Sequence, residues 1–132
     1  MLIVLDCNIW ITLALNSQLY YLTDLVNNGI TIASCGELRD EIANVLSRPK
    51  FNKIFSESQI VKIIDLHDLV TAPYKIGNTI EVTSDPKDDY LFALSSKSKA
   101  DYLVTGDKLL LEVIKYKNTR LITFAQFKEI VK

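Results

Sequence analysis

Short apolar runs alternate with stretches of helical periodicity along the chain. The first run, Leu-Ile-Val-Leu at 2–5, is continuous, as expected of a strand covered on both faces. Residues 9–15 and 19–26 read as helices, and Asn27-Asn28-Gly29 ends the second. A second strand is expected at 30–33. Ser34 is placed to open a long helix to about 46, with Glu37 at the capping-box spacing, and Arg48-Pro49 breaks it. Ser56 caps a helix over 57–69, and 79–82 reads as a third strand. Asp85-Pro86 opens a helix to about 97. The remainder reads as a strand at 102–105, a helix at 108–114, a strand at 120–122 and a helix at 125–131. Strands separated by helices predict an α/β fold with a parallel sheet between helical layers. In such sheets the ligand crevice lies beyond the carboxyl ends of the strands, where strand order reverses.

Composition narrows the classes. The 132 residues suit one domain, 1–132, large enough to fold without a disulfide or zinc staple. Fifteen basic and sixteen acidic residues leave a net charge of −1, which excludes a wholly basic nucleic-acid coat protein but not a local basic patch. No apolar stretch is long enough to span a bilayer, and the N-terminus lacks the basic start of a signal peptide, so a cytoplasmic protein is expected. Cys7 and Cys35 form no C-x-x-C pair and read as two reduced thiols. His67 is the one histidine, in an exposed-looking helical stretch; with no second His and no G-x-S-x-G, triad hydrolysis is disfavoured. The dinucleotide and P-loop glycine motifs are also absent.

The acids stand where strands end. Asp6 directly follows the first strand, at the rim of the core, where a charge is costly unless a cation or donor meets it. The plain alternative is a helix cap. Asn8, two residues on, adds an amide oxygen. The fourth strand ends Val104-Thr105-Gly106-Asp107, and Asp107 also reads as an acid facing the crevice or as an N-cap. In Asp85-Pro86-Lys87-Asp88-Asp89, Asp85 has a sufficient role as a cap. At 100° per residue, Asp88 shares a stripe with Leu91, Phe92 and Ser95, so it is expected inward and Asp89 about 100° away. On the helix from Ser34, Glu41 flanks the core face set by Leu38, Ile42 and Val45, whereas Asp40 points away. Asp6, Glu41, Asp88 and Asp107 can therefore converge. Four carboxylates cannot stay ionised together without pKa coupling or a metal, and oxygen-only ligands select Mg²⁺ or Mn²⁺. Thr105 and Asn8 are candidates to orient a water or a phosphate.

These acids, in this order, resemble the PIN-domain family of Mg²⁺-dependent ribonucleases, most closely its stand-alone toxins from toxin–antitoxin pairs. The resemblance rests on Asp6-Cys7-Asn8, Glu41 with Val45-Leu46-Ser47-Arg48-Pro49-Lys50-Phe51, residues 85–89, and Ala100-Asp101-Tyr102-Leu103-Val104-Thr105-Gly106-Asp107. It implies a three-layer α/β/α fold with a five-stranded parallel sheet. It also implies one or two metal ions held by Asp6, Glu41, Asp88 and Asp107, cleavage of single-stranded RNA, an antitoxin partner and frequent homodimerisation. Cys7 stands where the family usually has Thr or Ser.

Arg39, Arg48, Lys50, Lys53 and Lys87 lie near the acid-bearing segments and can offset phosphate charge. Phe51, Phe55 and Tyr90 are candidates to stack on bases, with core packing the alternative for the two Phe. Ile60, Ile63, Ile64 and Phe55 form an apolar stripe, either core or a seat for an antitoxin helix. Three rivals remain. A haloacid-dehalogenase-type phosphatase needs a second Asp where this chain has Asn8. A phospho-acceptor receiver domain needs an acidic pair near the first strand and a Lys after the last. A catalytically weak protein-binding module would not need all four acids.

Overall fold

The computed structural model describes residues 1–77 and 86–132. The run Leu2–Leu5 forms β1, and Ile3, Val4 and Leu5 are each fully buried. Successive side chains of a strand point to opposite faces, so three buried in a row require cover on both sides. The chain continues as α1 (Cys7–Leu15), α2 (Tyr20–Asn27), β2 (Thr31–Ser34), α3 (Gly36–Leu46) and a single 3₁₀ turn at Pro49–Phe51. Next come α4 (Glu57–Val70), β3 (Thr71–Pro73), a 3₁₀ turn at Pro86–Asp88, α5 (Asp89–Ser98) and β4 (Tyr102–Val104). The last elements are α6 (Lys108–Leu111), β5 (Lys115–Tyr116), β6 (Thr119–Ile122) and α7 (Phe124–Ile130).

Among the described residues the sheet has six strands, ordered β3-β2-β1-β4-β6-β5, rather than the five expected. All neighbours are parallel except β5 and β6. The unexpected pair is a short hairpin: Ile114 and Lys117 take positive φ, bending the chain after α6 back against β6. This shortens the helix expected over 108–114. The other unforeseen strand, β3, follows α4 without a loop, because β-branched Thr71 and then Pro73 end the helical run. The strand expected at 79–82, like Asp85, lies outside the described residues.

The two halves of the sheet grow outward from the middle. From β1 the chain steps to β2 and β3 on one side, then crosses to β4 and β6 on the other. The strand order reverses between β1 and β4, so the crevice lies beyond Leu5 and Val104, which pair in register. Trp10, Phe92 and Phe127, all nearly or fully buried, fill the space between sheet and helices.

Ser34 departs from expectation. It ends β2 instead of opening α3, whose N-cap is Cys35, and so Glu37 is not part of a capping box. Among the described residues, capping boxes form at Ser56 with Gln59 and at Thr123 with Gln126.

Candidate active site

The candidate acids come from four segments: after β1, after β4, on α3 and in the 3₁₀ turn before α5. Asp6 follows β1 and is only 5% exposed. Its backbone N–H donates to the Val104 carbonyl at 2.9 Å, which extends the β1–β4 ladder by one rung and fixes the side chain between the strands. It precedes α1 but makes no side-chain cap hydrogen bond, so capping does not explain it. Instead Oδ2 accepts from the Thr105 hydroxyl at 2.7 Å, and Thr105 Oγ1 accepts from the Asp107 N–H at 3.0 Å. One threonine thus ties the acid after β1 to the acid after β4. Asp107 also caps α6, its Oδ1 accepting from the Leu109 N–H at 2.8 Å. Thr105, fully buried, is an internal pin and is not exposed to orient a water or a phosphate as anticipated; Asn8 is exposed.

Glu41 arrives from α3, half-buried, and its Oε2 accepts from the Tyr90 hydroxyl on α5. Tyr90 is largely buried and is therefore not available as the stacking platform suggested by the sequence. Burial pushes its phenol far above the usual range, and the Glu41 contact pushes further, so it stays a donor. Burial likewise pushes the Asp6 carboxyl up. The Thr105 hydrogen bond and Cys7 N–H oppose this, while the charges of Glu41 and Asp107 reinforce it. The Cys7 thiol, at the start of α1, is raised to about 12, chiefly by burial and then by Glu41, Asp6 and Asp88; Arg48 acts the other way. The charges of Glu41 and Asp107 thus reach Asp6, and those of Glu41, Asp6, Asp88 and Arg48 reach Cys7 beside it.

The order of burial within residues 88–89 is the reverse of the helical-face argument. Asp89 is 3% exposed and Asp88 half-buried. Residues 86–88 form a 3₁₀ turn and α5 starts only at Asp89, so counting 100° per residue from Pro86 assigned the wrong face. Asp88 nonetheless adds negative charge at Cys7.

Two other expectations change. His67 is 3% exposed, not surface. It lies against the Trp10 ring with centroids 5.1 Å apart, Nε2 is 2.7 Å from Ser34 Oγ, and Nδ1 is 2.9 Å from Asp68 Oδ1. The connectivity is that of a Ser-His-Asp triad. However, Ser34 is 1% exposed, and Asp68 is gripped by Arg39 through two hydrogen bonds of 2.9 and 3.0 Å. It is a core tie between β2 and α4, with no accessible nucleophile. Arg39, expected at phosphates, is committed to this pair. Lys50 lies over the Phe51 ring at 5.0 Å, and Phe51 and Phe55 pack as core, 6.0 Å apart. Lys53 and Lys87 are exposed.

The donor set suits a hard divalent cation: it is all oxygen, and internal donors orient three of the carboxylates while each retains lone pairs. Among the described residues, though, no three acids close into a preformed cage.

A family model described as the PIN domain matches residues 2–109. The chain belongs to the PIN-domain family. The fold of this PIN domain is similar to that in the crystal structure of VapBC2 from Rickettsia felis bound to a DNA fragment from their promoter. The TM-score is 0.65 at 16% identity, covering 94% of this chain and 99% of that one. No curated protein sequence matches this PIN domain significantly. Among the described residues no helix is long and apolar enough to cross a membrane.

Proposed function

We propose that this PIN domain, residues 1–132 acting as one unit, is a Mg²⁺- or Mn²⁺-dependent endoribonuclease that cuts single-stranded RNA in the cytoplasm as the toxin of a toxin–antitoxin pair. The observation that carries the reading is the Thr105 bridge, which couples Asp6 and Asp107 across the point where strand order reverses.

Asp6, Glu41, Asp88 and Asp107 would hold the cation. When bound, it supplies Lewis acidity at the scissile phosphate and an activated water as nucleophile. The residues themselves do the positioning. Thr105 keeps one Asp6 oxygen turned inward, and the Leu109 N–H does the same for Asp107. Arg48, exposed and close enough to act on Cys7, is the cation best placed to meet a backbone phosphate. Attack of water on phosphorus leaves 5′-phosphate and 3′-hydroxyl ends, as the family resemblance implies.

Within the apolar stripe Ile64 is core, whereas Ile63 and the buried Phe55 line one wall of a groove between α1 and α4 with Leu15, Leu19 and Ile54. Leu15 and Ile54 are 41% and 50% exposed. This groove is the proposed seat for an apolar segment of the antitoxin.

The test is digestion of single-stranded RNA with Mn²⁺ or Mg²⁺, comparing the wild type with Asp6→Asn and Asp107→Asn. Cleavage is expected to need the metal and to vanish in both variants. Activity that persists in both, or survives chelation, would end the proposal.

A further inference from the structure

Glu41 differs from the other acids in how it is held. Asp6 and Asp107 are short and fixed by donors from strand ends or backbone. Glu41 is long and half-buried, on a helix flank, and faces the negative charge of Asp6. With three rotatable bonds and a like charge nearby, such a side chain turns toward water unless something retains it. Tyr90 is that something. It comes from α5, is 9% exposed, and donates its hydroxyl to Glu41 Oε2. A phenol ring has two torsions and a fixed reach, so it returns the carboxylate to one place. Tyr90 also stands two residues after Asp88, so the same short stretch of backbone supplies an acid and the donor that steadies another acid.

We propose that Tyr90 is a positioning residue for the nuclease site: its phenol fixes one oxygen of Glu41, and the carboxylate so held would take part in binding a divalent cation. The proposal rests on the reading that these acids hold such a cation. Tyr90 touches no reacting atom; it acts through Glu41. Partners that orient a metal-binding side chain change metal affinity when removed, by about 10- to 100-fold.

The experiment is titration calorimetry of the full chain with MnCl₂ alone, on the wild type, Tyr90→Phe, Glu41→Ala and the double variant, with circular dichroism to confirm folding. Tyr90→Phe is expected to weaken Mn²⁺ binding about 10-fold or more. In the Glu41→Ala background the same change is expected to cost less than about 2-fold, because the group it orients is gone. Glu41→Asp, whose carboxylate falls short of the phenol, gives a second route: it should bind weakly and be indifferent to Tyr90→Phe. Unchanged affinity in Tyr90→Phe, or an equal loss with and without Glu41, would overturn the proposal while leaving the metal reading intact. A wild type that binds no Mn²⁺ would overturn both.

Discussion

Thr105→Val tests the pin at the centre of the site. Valine has nearly the shape of threonine but no hydroxyl, so the change removes two contacts and little volume. One is the buried hydrogen bond to the Asp6 carboxylate at 2.7 Å; a bond to a charged partner contributes about 1.5–3 kcal/mol. The other is the acceptor for the Asp107 N–H at 3.0 Å, part-buried, contributing about 0.5–1.5 kcal/mol. Together these predict a loss of about 2–4.5 kcal/mol at pH 7, or a fall in Tm on the order of 10 °C for a chain this size. Urea unfolding in the presence of EDTA measures it, with Thr105→Ser as the control that keeps the hydroxyl. The pH dependence has a definite sign. Burial already raises the folded-state pKa of Asp6 above 3.8, so the native protein binds the extra proton, and stability falls as pH rises through that window. Removing the Thr105 donor raises it further. The deficit of the variant should therefore be full at pH 7 and shrink toward pH 4, leaving the Asp107 part. A variant within about 0.5 kcal/mol of wild type, the ordinary range for an inconsequential substitution, would refute the reasoning. So would a deficit that grows in acid.

Asp6→Asn is expected to raise the melting temperature of the metal-free protein at pH 7, because it removes a desolvated charge beside Glu41 and Asp107; it should also abolish any upward shift that Mn²⁺ produces in the wild type. Burial lowers the His67 pKa below 6.5, so the native state excludes a proton that the unfolded chain takes up; stability is full above pH 6.5 and declines as pH falls below it, and His67→Gln should flatten that part of the curve in melts between pH 7.5 and 5. Cys7, 2% exposed and raised to about 12, should resist a thiol reagent at pH 8 in the folded protein and react at once in urea, read by absorbance of the released thiolate. Fast labelling of the native chain at Cys7 would mean the floor of the site is open.

Much of this protein follows from local pattern. The apolar runs at 2–5 and 102–105, the Ser56 cap and the Arg48-Pro49 break are short-range steric and hydrogen-bonding preferences, and these elements form there, the second strand ending one residue early at Val104. Acids just beyond two central strands, Asp6 one residue after β1 and Asp107 three after β4, are likewise legible, because a parallel sheet carries whatever follows its strands to one end. What the pattern does not contain is the identity of partners distant in sequence. Asp6 and Thr105 are 99 residues apart, and Glu41 and Tyr90 are 49 apart. Only the packing of α3 and α5 beside β1 and β4 decides that a threonine and a tyrosine hold the carboxylates. The same packing buries His67 against Trp10 and Ser34, and turns Arg39 toward Asp68. The exchange of Asp88 for Asp89 as the buried acid turns on whether one turn is 3₁₀ or α, a difference of about 20° per residue that tertiary contacts settle. Periodicity is a property of neighbours along the chain; a hydrogen bond across the core is a property of the folded volume, and only the fold brings its two ends together.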